Sequence, residues 1–486
     1  MLSKIDESEL KFLIKFAKSP YHNTNKLIVP LLQKILTYSP GFDHKKLTKE
    51  HLYHAIHPEG KAYHDGRMNL LMTNLVSVIQ DFYMYQEFQK DKILQRRLKG
   101  KAYSNRNLYK NYKKEVEGIL VDLEKSPYRE EAYFFQRYDV QEEIYFHIET
   151  DRNQESKNYL YSAQEALDHF YIIAKLRLAA EQITMVKRLN TSIEIRFLEM
   201  LLNDLEKQSS LPLITNIYNK IIRLRRDENS KEFYHEIEKI LFSNLDGINL
   251  SSQKLIYLNM VNYGVGKLNQ GNKETFKELF VLFKFGLRQG YSMNNNCMTV
   301  VTYINISMVS INLKEFEWGY DFIISYEKYL PLKEAYLTKL MTLASWHYSV
   351  GVEKDYEHFY KTLELLREIT YNKKNIFIYI RSKILWIRTT YDLLKYDPSY
   401  YSTLMDYIKS FESHLKKNTI LSSELIQRYF SFNFCVKKIA KLHRKNDISE
   451  KDIKKLNDDI RSQKSVAAKN WINEKVEELR TPPLKT

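Results

Sequence analysis

Glycine and proline are scarce, at 13 and 10 in 486 residues. The gaps between them carry apolar residues at helical spacing, which leaves little room for the glycine loops and strand ends that hold most catalytic sites. Cysteine is nearly missing: Cys297 and Cys435 stand alone, with no CxxC pair. That excludes a disulfide framework and a cysteine zinc site, and both residues read as small buried thiols in a reducing compartment. No uncharged apolar run reaches the roughly 18 residues of a membrane span. The best stretch, 376–394, is broken by Arg381, Lys383 and Arg388. Residues Met1 to Glu7 carry early acids and no apolar core, so no secretory signal and a cytoplasmic location are expected. Period-2 alternation never extends beyond about five residues, so no strand is expected.

What remains is helix. Apolar residues make up 44% and charged residues 28%, enough for both a core and a soluble surface. The length exceeds one ordinary core, so the chain divides into units or forms an array whose parts touch only their neighbours. Tyrosine is abundant, 37 against 4 Trp, and suits half-exposed seams between helices because its ring is apolar and its tip polar.

Residues 1–90 read as a bundle of four helices, with Thr48 as one N-cap and a long last helix burying Leu71, Leu75, Val78, Ile79 and Phe82. A basic helical connector follows over 91–128. Ser126-Pro127 reads as an N-cap and first-turn proline. Helix pairs then fill 129–446, and capping helices with a tail fill 447–486. The helix over Ser162–Leu189 is apolar on two faces, which places it between neighbours. Hairpins are expected to begin near Ser251, Cys297, Glu334, Asn375 and Thr419; after the first, the intervals are 37, 41 and 44 residues. Those are the periods of helix-pair solenoids. Gly264-Val265-Gly266 reads as a hairpin turn.

The segment Thr299–Pro331 resembles a degenerate tetratricopeptide repeat. Ser307 and Gly319 stand at the two small positions where its helices cross, and Pro331 closes the unit. Tyr326 departs from the pattern, where alanine is preferred; Ala344 keeps a small position in the next unit. Over most of its length the chain also looks like a family of all-helical proteins from Bacteroidota. The likeness lies in Lys18–Asn23, Phe170–Ala179 and Thr302–Pro331. It implies a tetratricopeptide-like fold and no activity. The expected fold is therefore all-α, an N-terminal helical bundle followed by a tetratricopeptide-like helix-pair solenoid.

Motifs for chemistry fail one by one. GxSxG, GxxxxGK[ST] and HExxH are missing. Five of the 13 histidines cluster at His44, His51, His54, His57 and His64; a polar surface run is favoured over a metal site. Acid pairs such as Glu142-Glu143 and Glu477-Glu478 read as surface ion-pair partners. The expectation is a protein that is no enzyme and takes no cofactor or metal. Its groove would hold a partner protein or peptide of acidic character, through Tyr303, Asn305, His347, Tyr379 and Arg381. The alternative is nucleic acid. Ten of the 26 residues in 90–115 are Lys or Arg against two acids, with Tyr103, Tyr109 and Tyr112 interleaved. Arg96, Arg97, Lys99, Lys101 and Arg106 would make the contacts. Smaller basic clusters lie at 223–226 and 437–445. A winged-helix reading of 1–90 would present Arg67, Asn69, Thr73 and Asn74 to DNA, but requires a β-wing. The net charge of +15 alone does not choose between these readings.

Overall fold

A computed structural model of the chain describes residues 1–57, 61–147, 156–189, 193–226, 231–243, 245–269, 271–371, 375–445 and 447–480. These residues form 22 α-helices and three short 3₁₀ turns. No strand forms among them; one isolated bridge joins Asn294 and Cys297. The all-α expectation holds, because the long apolar patterns repeat at three and four residues while alternation at two stays short. Among the described residues no helix is long and apolar enough to cross a membrane. The chain divides into two compact units, 1–249 and 250–486. That division falls inside the stretch 129–446 read as one run of helix pairs.

The first unit opens with α1 (Glu7–Lys18), α2 (Ile28–Leu36), α3 (Lys49–Ile56) and α4 (Asp65–Lys90). Asp6 and Glu9 form a capping box on α1, and the Thr48 hydroxyl accepts from His51 N at the start of α3. Leu13, Leu31, Leu32, Leu71, Leu75, Ile79 and Phe82 pack into one core. After α4 the chain stays helical, so among the described residues the β-wing needed for a winged helix is missing.

Next come α5 (Lys92–Ser104), α6 (Tyr109–Glu124), α7 (Glu131–Phe146), α8 (Lys157–Leu189), α9 (Leu198–Lys207), α10 (Leu213–Arg226) and α11 (Lys231–Ser243). Helix α8 touches α7, α9 and α10, and buries Ala163, Ala166, Ile173, Leu176, Ala179 and Ala180. Ser126 does not cap α7. The Arg129 guanidinium donates to the carbonyls of Leu123 and Ser126 at the end of α6, and α7 starts with Glu130 as its N-cap.

The second unit holds α12 (Leu250–Asn269), α13 (Thr275–Arg288), α14 (Val300–Asn312), α15 (Phe316–Tyr326), α16 (Leu332–Glu353) and α17 (Glu357–Arg367). It continues with α18 (Ile376–Leu393), α19 (Tyr400–Lys417), α20 (Ser423–His443), α21 (Glu450–Arg461) and α22 (Lys469–Arg480). Pairs therefore begin within a few residues of the expected positions. The helices of each pair touch, and the second helix of each touches the first of the next: α13 with α14, α15 with α16, α17 with α18, α19 with α20. First helices also meet directly, α14 with α16 and α16 with α18. The small positions lie where expected. A Cβ added to Gly319 would lie 2.6 Å from Ser310 Oγ, and Ser307 and Ala344 are fully buried. Hydroxyls at these close crossings are satisfied locally: Ser307, Thr342 and Thr389 each donate to the carbonyl one turn back.

Three expectations are corrected here. Gly264-Val265-Gly266 lies inside α12 rather than in a turn; a Cβ on Gly264 would lie 2.6 Å from the Leu279 side chain of α13, so the glycine permits close packing. Cys297 is exposed, because Asn295 and Asn296 turn the chain through positive φ just before it; Cys435 is buried, and burial pushes its thiol up to about 11. Tyrosines are not confined to seams: Tyr53, Tyr218, Tyr257, Tyr303 and Tyr391 are fully buried. The C-terminal boundary at residue 446 and the tail over 481–486 lie outside the described residues.

Candidate binding surfaces

The five groove residues expected from sequence divide. Tyr303 is wholly buried and its hydroxyl donates to the Ile323 carbonyl at 2.7 Å, so it joins α14 to α15 and faces no ligand. His347 on α16 is half-buried, with its Nδ1 2.8 Å from Nδ1 of His358 on α17. One of these nitrogens must carry the bond's proton and the other accept it, so the pair is stable only while at least one ring is neutral. Burial, then the neighbouring His358, pushes His347 down to about 4.

Asn305, Tyr379 and Arg381 remain at the surface. On α14, Val301, Asn305 and Met308 recur at spacings of four and three and so share one face; Val301 and Met308 are exposed and Asn305 is half-buried. On α18, Phe377 and Arg381 share a face in the same way and both are exposed. Tyr379 meets Tyr371 and His414 at ring distances of 5.4 and 5.0 Å. Lys383 Nζ sits 4.8 Å from the Tyr379 ring and 4.7 Å from that of Tyr407. Burial lowers its pKa. Arg381 and Arg428, from α18 and α20, both act on the hydroxyl of Tyr429 and oppose the rise in its pKa that burial causes. Neither arginine forms an ion pair among the described residues, which leaves two cations beside half-buried tyrosines with no carboxylate attached.

Sequence reasoning missed a cavity of about 650 Å³ between α13 and α15. Trp318, Phe322 and Tyr326 stack along one wall, at ring distances of 5.6 and 4.7 Å. Lys284 and Arg288 border it from α13, with Lys284 4.6 Å from the Phe280 ring and 5.7 Å from that of Trp318. The signal was an aromatic at every fourth residue of one helix.

The basic connector is only partly free. Arg96 binds Glu115 at 3.1 Å and Asp122 at 2.8 Å, and Arg97 pairs with Asp139. These two arginines tie α5 to α6 and α7. Lys99, Lys101 and Arg106 are exposed without an ion pair among the described residues, although Arg106 donates to the Ala102 carbonyl. The smaller clusters are largely paired: Arg223 with Glu206, Arg226 with Glu199, Lys437 with Glu412, Lys438 with Asp459 and Lys445 with Asp452. Nor do the N-terminal histidines converge. His57 stacks on Tyr53 at 4.0 Å, and His64 caps α4 by accepting from Arg67 N. Among the described residues no group of three His, Cys, Asp or Glu could hold a metal ion.

The second unit also encloses a polar cluster that no motif announced. Lys475 of α22 and Asp392 of α18 are each 2% exposed, with Nζ 2.8 Å from Oδ1. Tyr348 of α16 donates to Asp392 at 2.6 Å and accepts from Trp471 Nε1 at 2.8 Å. Glu478 receives Lys475 at 2.8 Å and Lys395 at 2.6 Å. The Arg388 guanidinium lies 4.6 Å from the Tyr348 ring centre. Burial works against the charge on Lys475, but Asp392 and Glu478 outweigh it and raise its pKa. The cluster locks α22 onto α16 and α18, although Arg388 Nε is buried there without a hydrogen-bond partner among the described residues. Glu478, read as a surface partner, is a half-buried member of this lock, whereas Glu477 does pair on the surface with Arg480.

Comparison of the chain with family models, curated proteins and solved structures finds no match.

Proposed function

We propose that the chain is a non-catalytic helical-repeat scaffold of the tetratricopeptide kind, whose first helices hold a segment of a partner protein. The observation that carries this is the row of first helices. Helices α14, α16 and α18 touch in succession; α14 leaves Val301 and Met308 uncovered, and α18 leaves Phe377 and Arg381. Repeat arrays bind in this manner, because a series of like helices offers a long surface built from one face of each. Arg381 and Arg428, free of carboxylates and flanked by Tyr379 and Tyr429, select for acidic side chains on the partner. Nothing in this reading needs a cofactor, and it fits a reducing aqueous compartment.

The test is quantitative capture of partners from the native host with the wild-type chain and with Arg381→Glu. One or a few proteins enriched by the wild type and lost with the variant support the scaffold. Equal enrichment by both overturns the role of Arg381. The nucleic-acid alternative now stands on Lys99, Lys101 and Arg106, because Arg96 and Arg97 are engaged by carboxylates. Oligonucleotide binding that falls steeply with salt and is lost in Lys99→Gln/Lys101→Gln would favour it.

A further inference from the structure

The C-terminal end of the second unit holds a cavity of about 690 Å³, of whose lining the scaffold reading uses Arg428 alone. Four cations line it: Arg428 from α20, Arg461 at the end of α21, Lys464 from the loop, and Lys469 at the start of α22. None of the four forms an ion pair among the described residues. Of the other cations on α20 to α22, Lys437, Lys438, Lys445, Lys475 and Arg480 have carboxylate partners, and what sets the four apart is that they border one space. The one acid in the lining, Glu477, has both carboxylate oxygens 2.9 Å from Arg480. Four like charges around one space repel one another, and an anion relieves that repulsion.

The walls are firm. The loop between α21 and α22 is pinned by Ala467 N donating to the Arg428 carbonyl at 3.3 Å, and Val466 and Ala467 are buried in the core beside Trp471 and Ile472. The rest of the polar lining is neutral: the amides of Asn457, Gln463 and Asn473 and the Ser465 hydroxyl. Such groups suit the hydroxyls of a polyol. No aromatic ring is among the lining residues, so a nucleobase would find no stacking partner. The volume lies within the ordinary range for a small-molecule site.

The geometry points to a binding site for a small phosphorylated polyol, with two phosphoryl groups shared among Arg428, Arg461, Lys464 and Lys469. Two dianionic groups match four cations, and the amides and the serine orient the carbon chain between them.

The experiment is isothermal titration calorimetry on the full chain at a fixed ionic strength of about 0.15 M. Fructose 1,6-bisphosphate is the probe, with inorganic pyrophosphate and fructose as separate arms. The bisphosphate is expected to bind saturably, pyrophosphate at least about tenfold more weakly, and fructose not at all. Arg461→Gln/Lys464→Gln changes two exposed side chains, so it is expected to keep the wild-type melting temperature and lose at least about tenfold in affinity. Unsaturable heats for the bisphosphate up to about 1 mM, or a double variant that binds as well as the wild type, would overturn the site. Pyrophosphate binding as tightly as the bisphosphate would overturn the polyol assignment. Arg381 lies outside the lining, so this outcome and that of Arg381→Glu are read independently.

Discussion

Replacing Lys475 by Met probes the lock between α22 and the helix pairs. The substitution keeps most of the stem and removes the charge. Asp392 then sits 2% exposed, keeping the Tyr348 hydroxyl as its side-chain hydrogen bond but losing its ion pair, and Glu478 keeps Lys395 alone. Removing one partner of a buried pair costs about 3–5 kcal/mol, because the remaining charge has no water to turn to. All four tryptophans, Trp318, Trp346, Trp386 and Trp471, lie in the second unit, so their fluorescence reports its unfolding without interference from the first. For a urea slope of about 2 kcal/mol per M, the midpoint should fall by roughly 1.5–2.5 M. Lys475→Met/Asp392→Leu should recover most of the loss, since an apolar pair of similar volume replaces an ion pair at little cost. A single variant whose midpoint lies within about 0.3 M of wild type, or a double variant less stable than the single, would refute the lock.

Other expectations concern pH, packing and the basic connector. The folded-state pKa of His347 lies at about 4, below its unfolded value, so the unfolded chain binds the proton first. The stability held by the neutral His347–His358 pair is complete above about pH 6.5 and declines as pH falls toward 4. Allowing for partial exposure of the ring, the loss is about 2 kcal/mol; tryptophan-monitored urea midpoints that stay level from pH 7.5 to 4.5 would contradict it. Gly319→Ala pushes a methyl to 2.6 Å from Ser310 Oγ and should cost about 1–3 kcal/mol. Adding Ser310→Gly should return part of that, and calorimetric melting of the two variants checks the order. Arg96→Gln should lower stability by about 1 kcal/mol through loss of Glu115 and Asp122, whereas Lys99→Gln/Lys101→Gln should leave it unchanged; thermal unfolding followed by circular dichroism compares them.

Much of the fold was legible because helices announce themselves locally. Thr48 and the run Leu71, Leu75, Val78, Ile79 and Phe82 carry a cap and a spacing that need no distant partner to interpret. Gly319 was legible for the same reason, as a small residue within a known repeat spacing. The misses share a cause. Gly264 looks like a turn in one dimension and becomes a contact only when Leu279 arrives from the next helix. Cys297 follows Asn294-Asn295-Asn296, a turn signal outweighed in the sequence reading by the apolar residues after it. Lys475 and Asp392 belong to different helices far apart in the chain, so nothing local pairs them. Tyr303 illustrates the limit for sites: its type and position suit a groove, and only its bond to the Ile323 carbonyl shows that it faces inward. The C-terminal cavity was half visible, since Arg461, Lys464 and Lys469 are close in sequence, but Arg428 joins them only through the fold.

The most direct measurement is site-specific photo-crosslinking in the native host. A benzophenone side chain replaces Arg381 in one chain and Val121, exposed on α6 of the first unit, in another. Partner binding on the first helices of the second unit predicts a discrete protein adduct from position 381 and none from position 121. Equal labelling from both positions, or an adduct with nucleic acid from position 381, would contradict it.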